Sequence, residues 1–364
     1  MIRVLIVDDS SFLRRQLPRL LEMDSDIKVV GAAANGAEAV QLVKALRPDV
    51  VTMDIVMPVM DGLTALKHIM RDSPVPVVMV SSITREGANE TIEALSLGAV
   101  DFTTKPSSTL ELESQLGELV EKIKQAYANK IKLAATVDVT RDKFRALVAD
   151  LSRLQANTTP KRPRGTAPFT TGRRQVVAIA TSTGGPAALQ LLLARLPADL
   201  AAGVLIVQHI APGFTRPLAE RLNSISPLTV REAVDGEPIR QGYALLAPAG
   251  SHLTVSREPG RMLVRLSLDP AEALHRPSAD VLFKSLAQVC PKEACGVILT
   301  GMGDDGARGL RALFEAGGDT LAQDEFTSLI YGMPKRAVEM GGVRLSLPLD
   351  QIADEVVKVV NRLT

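Results

Sequence analysis

Acyl transfer by a side-chain hydroxyl needs the hydroxyl, a base within reach, and a group that orients the base. The base is the easiest member to search for, because the chain has only four histidines: His68, His209, His252 and His275. His209 directly follows the apolar run Val204-Leu205-Ile206-Val207-Gln208, which puts it at the carboxyl end of a buried strand. His68 falls on a helical pattern, His252 follows the turn-like Pro248-Ala249-Gly250-Ser251, and His275 lies in a loop before Arg276-Pro277-Ser278. A hydroxyl occupies a similar strand end. Ser182 follows Val176-Val177-Ala178-Ile179-Ala180-Thr181 and precedes Thr183-Gly184-Gly185-Pro186 and a helical pattern. The two glycines permit a tight turn with close backbone approach, Pro186 suits a first helical turn, and N–H groups at a helix start can stabilise an oxyanion. The loop is not a phosphate cradle: it has neither the Gly-Lys-Ser/Thr ending nor G-x-G-x-x-G, and Ala180 breaks the G-x-S-x-G elbow. The orienting acid should follow Val297-Ile298-Leu299-Thr300, where Gly301-Met302-Gly303-Asp304-Asp305-Gly306 offers two candidates. Spacing does not choose between Asp304 and Asp305, and either could cap the next helix instead.

A second constellation lies in the first third of the chain. Asp8 and Asp9 follow the apolar run Val4–Val7, and Asp54 follows Val50-Val51-Thr52-Met53. Clustered carboxylates must bind a cation or shift their pKa values, and a small hard-oxygen cluster suits Mg²⁺. Lys105, after Phe102-Thr103-Thr104, can neutralise an added phosphoryl group, and Ser81, ending Val77–Val80, brings a hydroxyl to the same edge.

The elements that must position these groups alternate between strand and helix. Over residues 1–125 the strands are Val4–Val7, Val29–Ala32, Val50–Met53, Val75–Val80 and Phe102–Thr104. Helical patterns cover Phe12–Leu21, Ala37–Leu46, Leu63–Met70, Thr91–Leu97 and Leu110–Ile123. Five strand–helix units imply a parallel sheet covered on both faces, and open parallel sheets carry their sites at the carboxyl ends of strands. Residues 126–172 read as a linker. It contains an amphipathic stripe at Phe144, Leu147, Val148, Leu151 and Leu154, then an aperiodic, proline-containing basic stretch from Asn157 to Pro168. Alternation returns over 173–364, with strands at Val176–Ala180, Gly203–Val207 and Val297–Thr300 and helices at Gly185–Leu196 and Ala307–Ala316. Shorter segments, Tyr243–Leu246 and Met262–Leu266, have hairpin-like spacing around Pro259-Gly260 and suggest an antiparallel insertion or edge. The expected class is α/β: a flavodoxin-like (βα)5 domain, then a doubly wound, mostly parallel domain with a small antiparallel element.

Composition narrows the function. At 364 residues the chain fits two domains, and 46% apolar with 23% charged residues suits a soluble globular protein. A net charge of +1, no tryptophan and 3% aromatic residues argue against nucleic acid as a partner. Cys290 and Cys295 have no second ligand pair, so they read as buried thiols in a reducing compartment. The early Asp8-Asp9 pair is unlike a signal peptide, and no apolar run is long enough to span a bilayer, so a cytoplasmic location without membrane insertion is expected.

Val7-Asp8-Asp9-Ser10, Asp54-Ile55-Val56-Met57-Pro58-Val59-Met60-Asp61-Gly62, Val80-Ser81-Ser82 and Lys105-Pro106 resemble the response-regulator receiver family. The resemblance implies that Asp54 is the phosphoacceptor, and that Asp8, Asp9, Asp54 and the Val56 backbone carbonyl hold Mg²⁺. It further implies that Ser81 and Phe102 are switch residues, that Lys105 partners the phosphate, and that the Lys105–Pro106 bond is cis. The Ser182, His209 and Gly301–Gly306 segments resemble the chemotaxis protein-glutamate methylesterases of the CheB type, as do Arg276-Pro277-Ser278-Ala279-Asp280, Ala322-Gln323-Asp324-Glu325 and Tyr331-Gly332-Met333-Pro334. That likeness implies Ser182 as nucleophile, His209 as base and Asp305 as orienting acid. The oxyanion donors would be the backbone N–H groups of Thr183 and Met302, and hydrolysis would need no cofactor. The implied substrate is a glutamate methyl ester on a methyl-accepting chemotaxis receptor, with glutamine deamidation at the same sites. A chemotaxis histidine kinase would supply the phosphoryl group, the unphosphorylated receiver would cover the crevice, and a monomer is expected. The alternatives are a receiver-gated scaffold without esterase turnover, against which the intact Ser182, His209 and Asp305 argue, and a transcription factor, which would need a compact helix-turn-helix.

Overall fold

The computed structural model describes residues 1–81, 85–106, 109–135 and 175–362. They fall into two compact units, the first holding the described residues up to 135 and the second those from 175 on. The expected amphipathic stripe at 144–154, the basic stretch at 157–168 and Ser82 lie outside the described residues.

The first unit is built on β1 (Ile2–Val7), β2 (Ile27–Ala33), β3 (Val50–Asp54), β4 (Val77–Ser81) and β5 (Asp101–Thr104). Between and after them run α1 (Ser11–Leu21), α2 (Gly36–Leu46), α3 (Gly62–Asp72), α4 (Arg85–Ser96) and α5 (Thr109–Ala135). The strands pair in parallel in the order β2-β1-β3-β4-β5, the expected flavodoxin-like arrangement. β3 and β4 are buried at every position, so their apolar runs are continuous, as a sheet covered on both faces requires. Local signals start the helices where the loops must turn. Asn35 caps α2 by accepting from Glu38 N, while Glu38 reaches back to Ala34 N. Asp61 caps α3 by accepting from Thr64 N. One boundary differs from expectation. α5 runs on to Ala135, past residue 125 where a linker was expected to begin. The sequence from Lys124 to Ala135 has no proline or glycine to stop it.

The second unit carries β6 (Val176–Thr181), α6 (Gly185–Arg195), β7 (Gly203–Gln208), α7 (Thr215–Ile225), β8 (Thr229–Glu232) and β9 (Tyr243–Leu246). A hairpin of β10 (His252–Glu258) and β11 (Arg261–Ser267) follows. Then come α8 (Ala279–Val289), β12 (Ala294–Ile298), α9 (Ala307–Glu315), β13 (Asp319–Gln323), α10 (Met333–Glu339), β14 (Leu345–Leu347) and α11 (Leu349–Asn361). Seven strands form one parallel sheet in the order β14-β13-β12-β6-β7-β9-β8. The chain winds outward from β6 through β7 in one direction and from β12 through β13 in the other. The order therefore reverses between β6 and β12, which is where such sheets open a crevice. The antiparallel element is real but smaller than expected. Met262–Leu266 belongs to the hairpin, whereas Tyr243–Leu246 joins the main sheet in parallel beside β7. Its Ala-Leu-Leu core is fully buried and does not alternate, which suits an interior parallel strand rather than a half-exposed hairpin arm.

Candidate functional site

The parallel pairing of β6 and β7 ends on the rung Thr181–Gln208, and the next residues on the two strands are Ser182 and His209. Two separate strand-end residues are thereby set side by side, because neighbouring strands lie about 4.8 Å apart. His209 N donates to Thr181 O (3.0 Å), and on the other flank Ser182 N donates to Thr300 O (3.0 Å). The backbones crowd here. A Cβ on Gly301 would lie 2.8 Å from Ser182 Cβ, so only glycine lets the strand after β12 approach the serine.

The imidazole of His209 meets Asp305, with Nε2 2.8 Å from Oδ2. Asp304, the alternative that spacing alone left open, is instead largely exposed and lies 3.9 Å from Arg308. Asp305 sits against the start of α8. Its carboxylate accepts from Ala279 N (2.7 Å), Asp280 N (3.0 Å) and the Ser278 hydroxyl (2.7 Å). Burial pushes this carboxyl up, but the His209 contact and the two backbone N–H groups outweigh it and hold the group well below the usual carboxylate range. An ionised carboxylate only accepts, so His209 Nε2 carries the proton and donates. Nδ1 is left as the lone-pair nitrogen, buried and without a partner among the described residues.

Sequence reasoning missed the surroundings of this pair. His275 stacks on His209, with ring centroids 4.1 Å apart and planes inclined by 21°. Burial and the neighbouring His209 both lower its pKa, so it stands as a neutral face. His252 is fully buried in β10, where its Nδ1 accepts from Ser278 N (3.2 Å) and its Nε2 faces Pro270 O (3.2 Å). It thereby anchors the segment that carries both His275 and Ser278. Ser278, which also caps α8 through Val281 N, had a legible signal as a Ser ahead of an apolar helix. The Thr300 hydroxyl donates to Thr183 O (2.9 Å), fixing the peptide that follows Ser182 and Thr183. Met302 is partly exposed on the neighbouring loop.

In the first unit the order reverses between β1 and β3, and the acids collect there. Val7 pairs with Met53, so Asp8 and Asp54 are the next rung. Oxygens of Asp8, Asp9 and Asp54 lie within 4.8 Å of one another. Lys105 bridges all three, at 2.6 Å from Asp54, 3.2 Å from Asp8 and 3.2 Å from Asp9. Burial, with the nearby charges of Asp8 and Asp9, raises the Asp54 carboxyl to about 6, and Lys105 only partly offsets this. The same three acids hold the Lys105 ammonium above its ordinary range against the cost of burial. Asp8 Oδ2 is buried without a partner among the described residues, so a hard oxygen donor remains in a cluster of three carboxylates, a set that fits Mg²⁺. Ser81 is buried and donates to Gly87 O (3.1 Å). Phe102 is buried beneath the Lys122 ammonium, which lies 5.5 Å from its ring centroid and also bonds its carbonyl oxygen. The Lys105–Pro106 bond is not cis as the resemblance implies. Among the described residues the cis bonds are Asp269–Pro270 and Arg276–Pro277, and trans is the lower-energy form of an X–Pro bond in the absence of specific restraints.

A carboxylate–lysine pocket on one open sheet and a serine beside a histidine–aspartate pair on another define a class: a receiver coupled to a hydrolase. The comparisons narrow it. Residues 4–117 match the response regulator receiver domain and residues 177–356 match the CheB methylesterase family. A protein-glutamate methylesterase/protein-glutamine glutaminase of Symbiobacterium thermophilum is 47% identical over 99% of this chain and 97% of its own length. The protein of that name from Geobacillus kaustophilus is 44% identical over 99% of both. The crystal structure of the Thermotoga maritima CheB methylesterase catalytic domain superposes with a TM-score of 0.51 at 36% identity, covering 52% of this chain and all of that one. The chain belongs to the CheB methylesterase family, with a response regulator receiver domain at its N-terminus. Among the described residues no helix is long and apolar enough to cross a membrane.

Proposed function

We propose that this protein hydrolyses glutamate γ-methyl esters on methyl-accepting chemotaxis receptors, releasing methanol, and deamidates glutamine at the same sites, under the control of its own receiver. The observation that carries the reading is the His209–Asp305 pair on the strand next to Ser182, in a chain that matches proteins of this activity along its whole length. His209 Nδ1 takes the Ser182 proton as Oγ attacks the ester carbonyl. The backbone N–H groups of Thr183 and Met302 hold the oxyanion. The imidazolium, oriented by Asp305, returns the proton to the departing methoxide, and methanol leaves. Water, deprotonated by the same nitrogen, then cleaves the acyl-enzyme to a free glutamate. An amide substrate passes through the same tetrahedral species and loses ammonia.

The receiver occupies residues 1–125 and the esterase 173–364, joined by residues 126–172, the first ten of which continue α5. Asp54 takes a phosphoryl group from a chemotaxis histidine kinase. Asp8, Asp9, Asp54 and the Val56 carbonyl would hold Mg²⁺, which supplies charge neutralisation for that transfer. Lys105 pairs with the new phosphoryl oxygens, and Ser81 and Phe102 register the change. The protein works in the cytoplasm as a monomer. Methanol release from methylated receptor, with and without a small phosphodonor, tests both halves. Ser182→Ala should abolish release, and retained turnover would refute the assignment. Asp54→Asn should keep basal release and lose stimulation by the phosphodonor.

A further inference from the structure

β6 and β7 stop pairing at Thr181–Gln208, yet the chemistry requires Ser182 and His209, one position further on, to stay in register. The Gln208 side chain supplies the missing rung. It is 2% exposed, and its Nε2 donates to Ser182 O (2.8 Å) and to His209 O (2.9 Å). Each hydrogen of one amide group thus holds the main chain of one of the two residues whose side chains must meet. The opposite amide assignment would set Oε1 against two carbonyl oxygens, so the donor end must face them. Oε1 is buried and finds no donor among the described residues. Packing alone would favour an apolar side chain of the same length there, because an orphaned buried acceptor is costly. The adjoining turn is shaped around this amide: a Cβ on Gly185 would fall 2.1 Å from Oε1.

We propose that Gln208 is a positioning residue for ester hydrolysis, its amide tying the main chain of Ser182 to that of His209 so that hydroxyl and imidazole keep the spacing that proton transfer needs. The inference rests on Ser182 and His209 as nucleophile and base. Gln208→Met keeps the volume and removes both donors. Gln208→Glu keeps the shape, and when protonated it holds one carbonyl of the two.

The test is methanol release from methylated receptor by the full-length protein, with thermal midpoints to establish folding and Ser182→Ala run alongside. Gln208→Met should lower kcat roughly 100-fold with KM within about threefold, since a displacement of about 1 Å costs that much in rate. Gln208→Glu should fall between Gln208→Met and wild type and lose activity as its carboxyl ionises. Labelling of Ser182 by a serine-directed phosphonate should slow in the same order. A folded Gln208→Met with wild-type kcat, or with its loss wholly in KM, overturns the proposal. If Gln208→Met does not fold, Gln208→Glu decides: full kcat across the neutral range overturns the proposal, and the intermediate, pH-dependent kcat supports it. Turnover retained by Ser182→Ala would instead overturn the nucleophile assignment, which separates the two failures.

Discussion

Asp54, buried, and Asp305, part-buried, are both carboxyls beside a reversal in strand order, and loss of solvent pushes both upward, yet they end on opposite sides of the ordinary value. Asp54 rises to about 6, because its company is two more carboxylates and a single ammonium shared three ways. Asp305 is held well below the usual range, because two backbone N–H groups, a hydroxyl and an imidazole all donate to it. Burial therefore does not set a carboxyl's charge; the number of donors brought to it does. The difference suits the two roles proposed for them. A phosphoacceptor must accept a new group and then relax, so a crowded, under-neutralised pocket poised to gain a cation is useful. An orienting acid must never change state during turnover, so it is saturated with hydrogen bonds.

The contrast can be broken most severely at Asp305. Asp305→Asn keeps the shape but lets the imidazole adopt the wrong tautomer, and kcat for methanol release should fall roughly 10³- to 10⁴-fold; a drop of less than tenfold would mean that saturation of this carboxylate is unimportant. Lys105→Met attacks the other pocket. It leaves three carboxylates without their ammonium, and the receiver transition in urea should lose about 3 kcal/mol at neutral pH. An unchanged transition would show that the acids are not under-neutralised.

The pH dependence sharpens the comparison further. Asp305 has a folded value below its unfolded one, so the folded state binds fewer protons there and the stabilisation is present above the unfolded value near 3.8. The catalytic unit should lose stability as pH drops below about 4, and Asp305→Asn should flatten that slope in thermal melts. Ser278→Ala removes one donor to Asp305 and the cap of α8, and should cost the catalytic unit about 1–2 kcal/mol in urea denaturation. The smallest effect is expected at Val59, in the loop that follows β3. This β-branched residue has φ +68° and is 88% exposed. Val59→Gly relieves that strain without losing packing and should stabilise the receiver by up to about 1 kcal/mol. A destabilised variant would contradict the strain reading.

Strand ends were legible because a buried parallel strand is a continuous apolar run, and its last residue is where polarity resumes. Ser182, His209, Asp8 and Asp54 could be placed from that signal alone, and the two-sheet architecture followed from the alternation of runs. Where a capping side chain precedes an apolar face, as at Asp61 and Ser278, the helix start carries a local signal. The far end of α5 was not, because a weakly amphipathic stretch free of breakers carries no stop signal of its own. Tyr243–Leu246 was misplaced because a short apolar run has the same texture in a hairpin and in a central parallel strand.

What the amino-acid order determined unaided is the inventory of reactive groups and the strand end from which each projects, since both depend only on neighbours in the chain. Spacing left two adjacent aspartates open, and tertiary structure shows which of them meets the imidazole; it alone decided which histidine stacks on it, and that the Gln208 amide spans Ser182 and His209. Those outcomes depend on strand order and on the placement of α8, which bring together residues 26 to 96 positions apart, and no local pattern encodes a contact whose partners are chosen by the packing of the whole sheet.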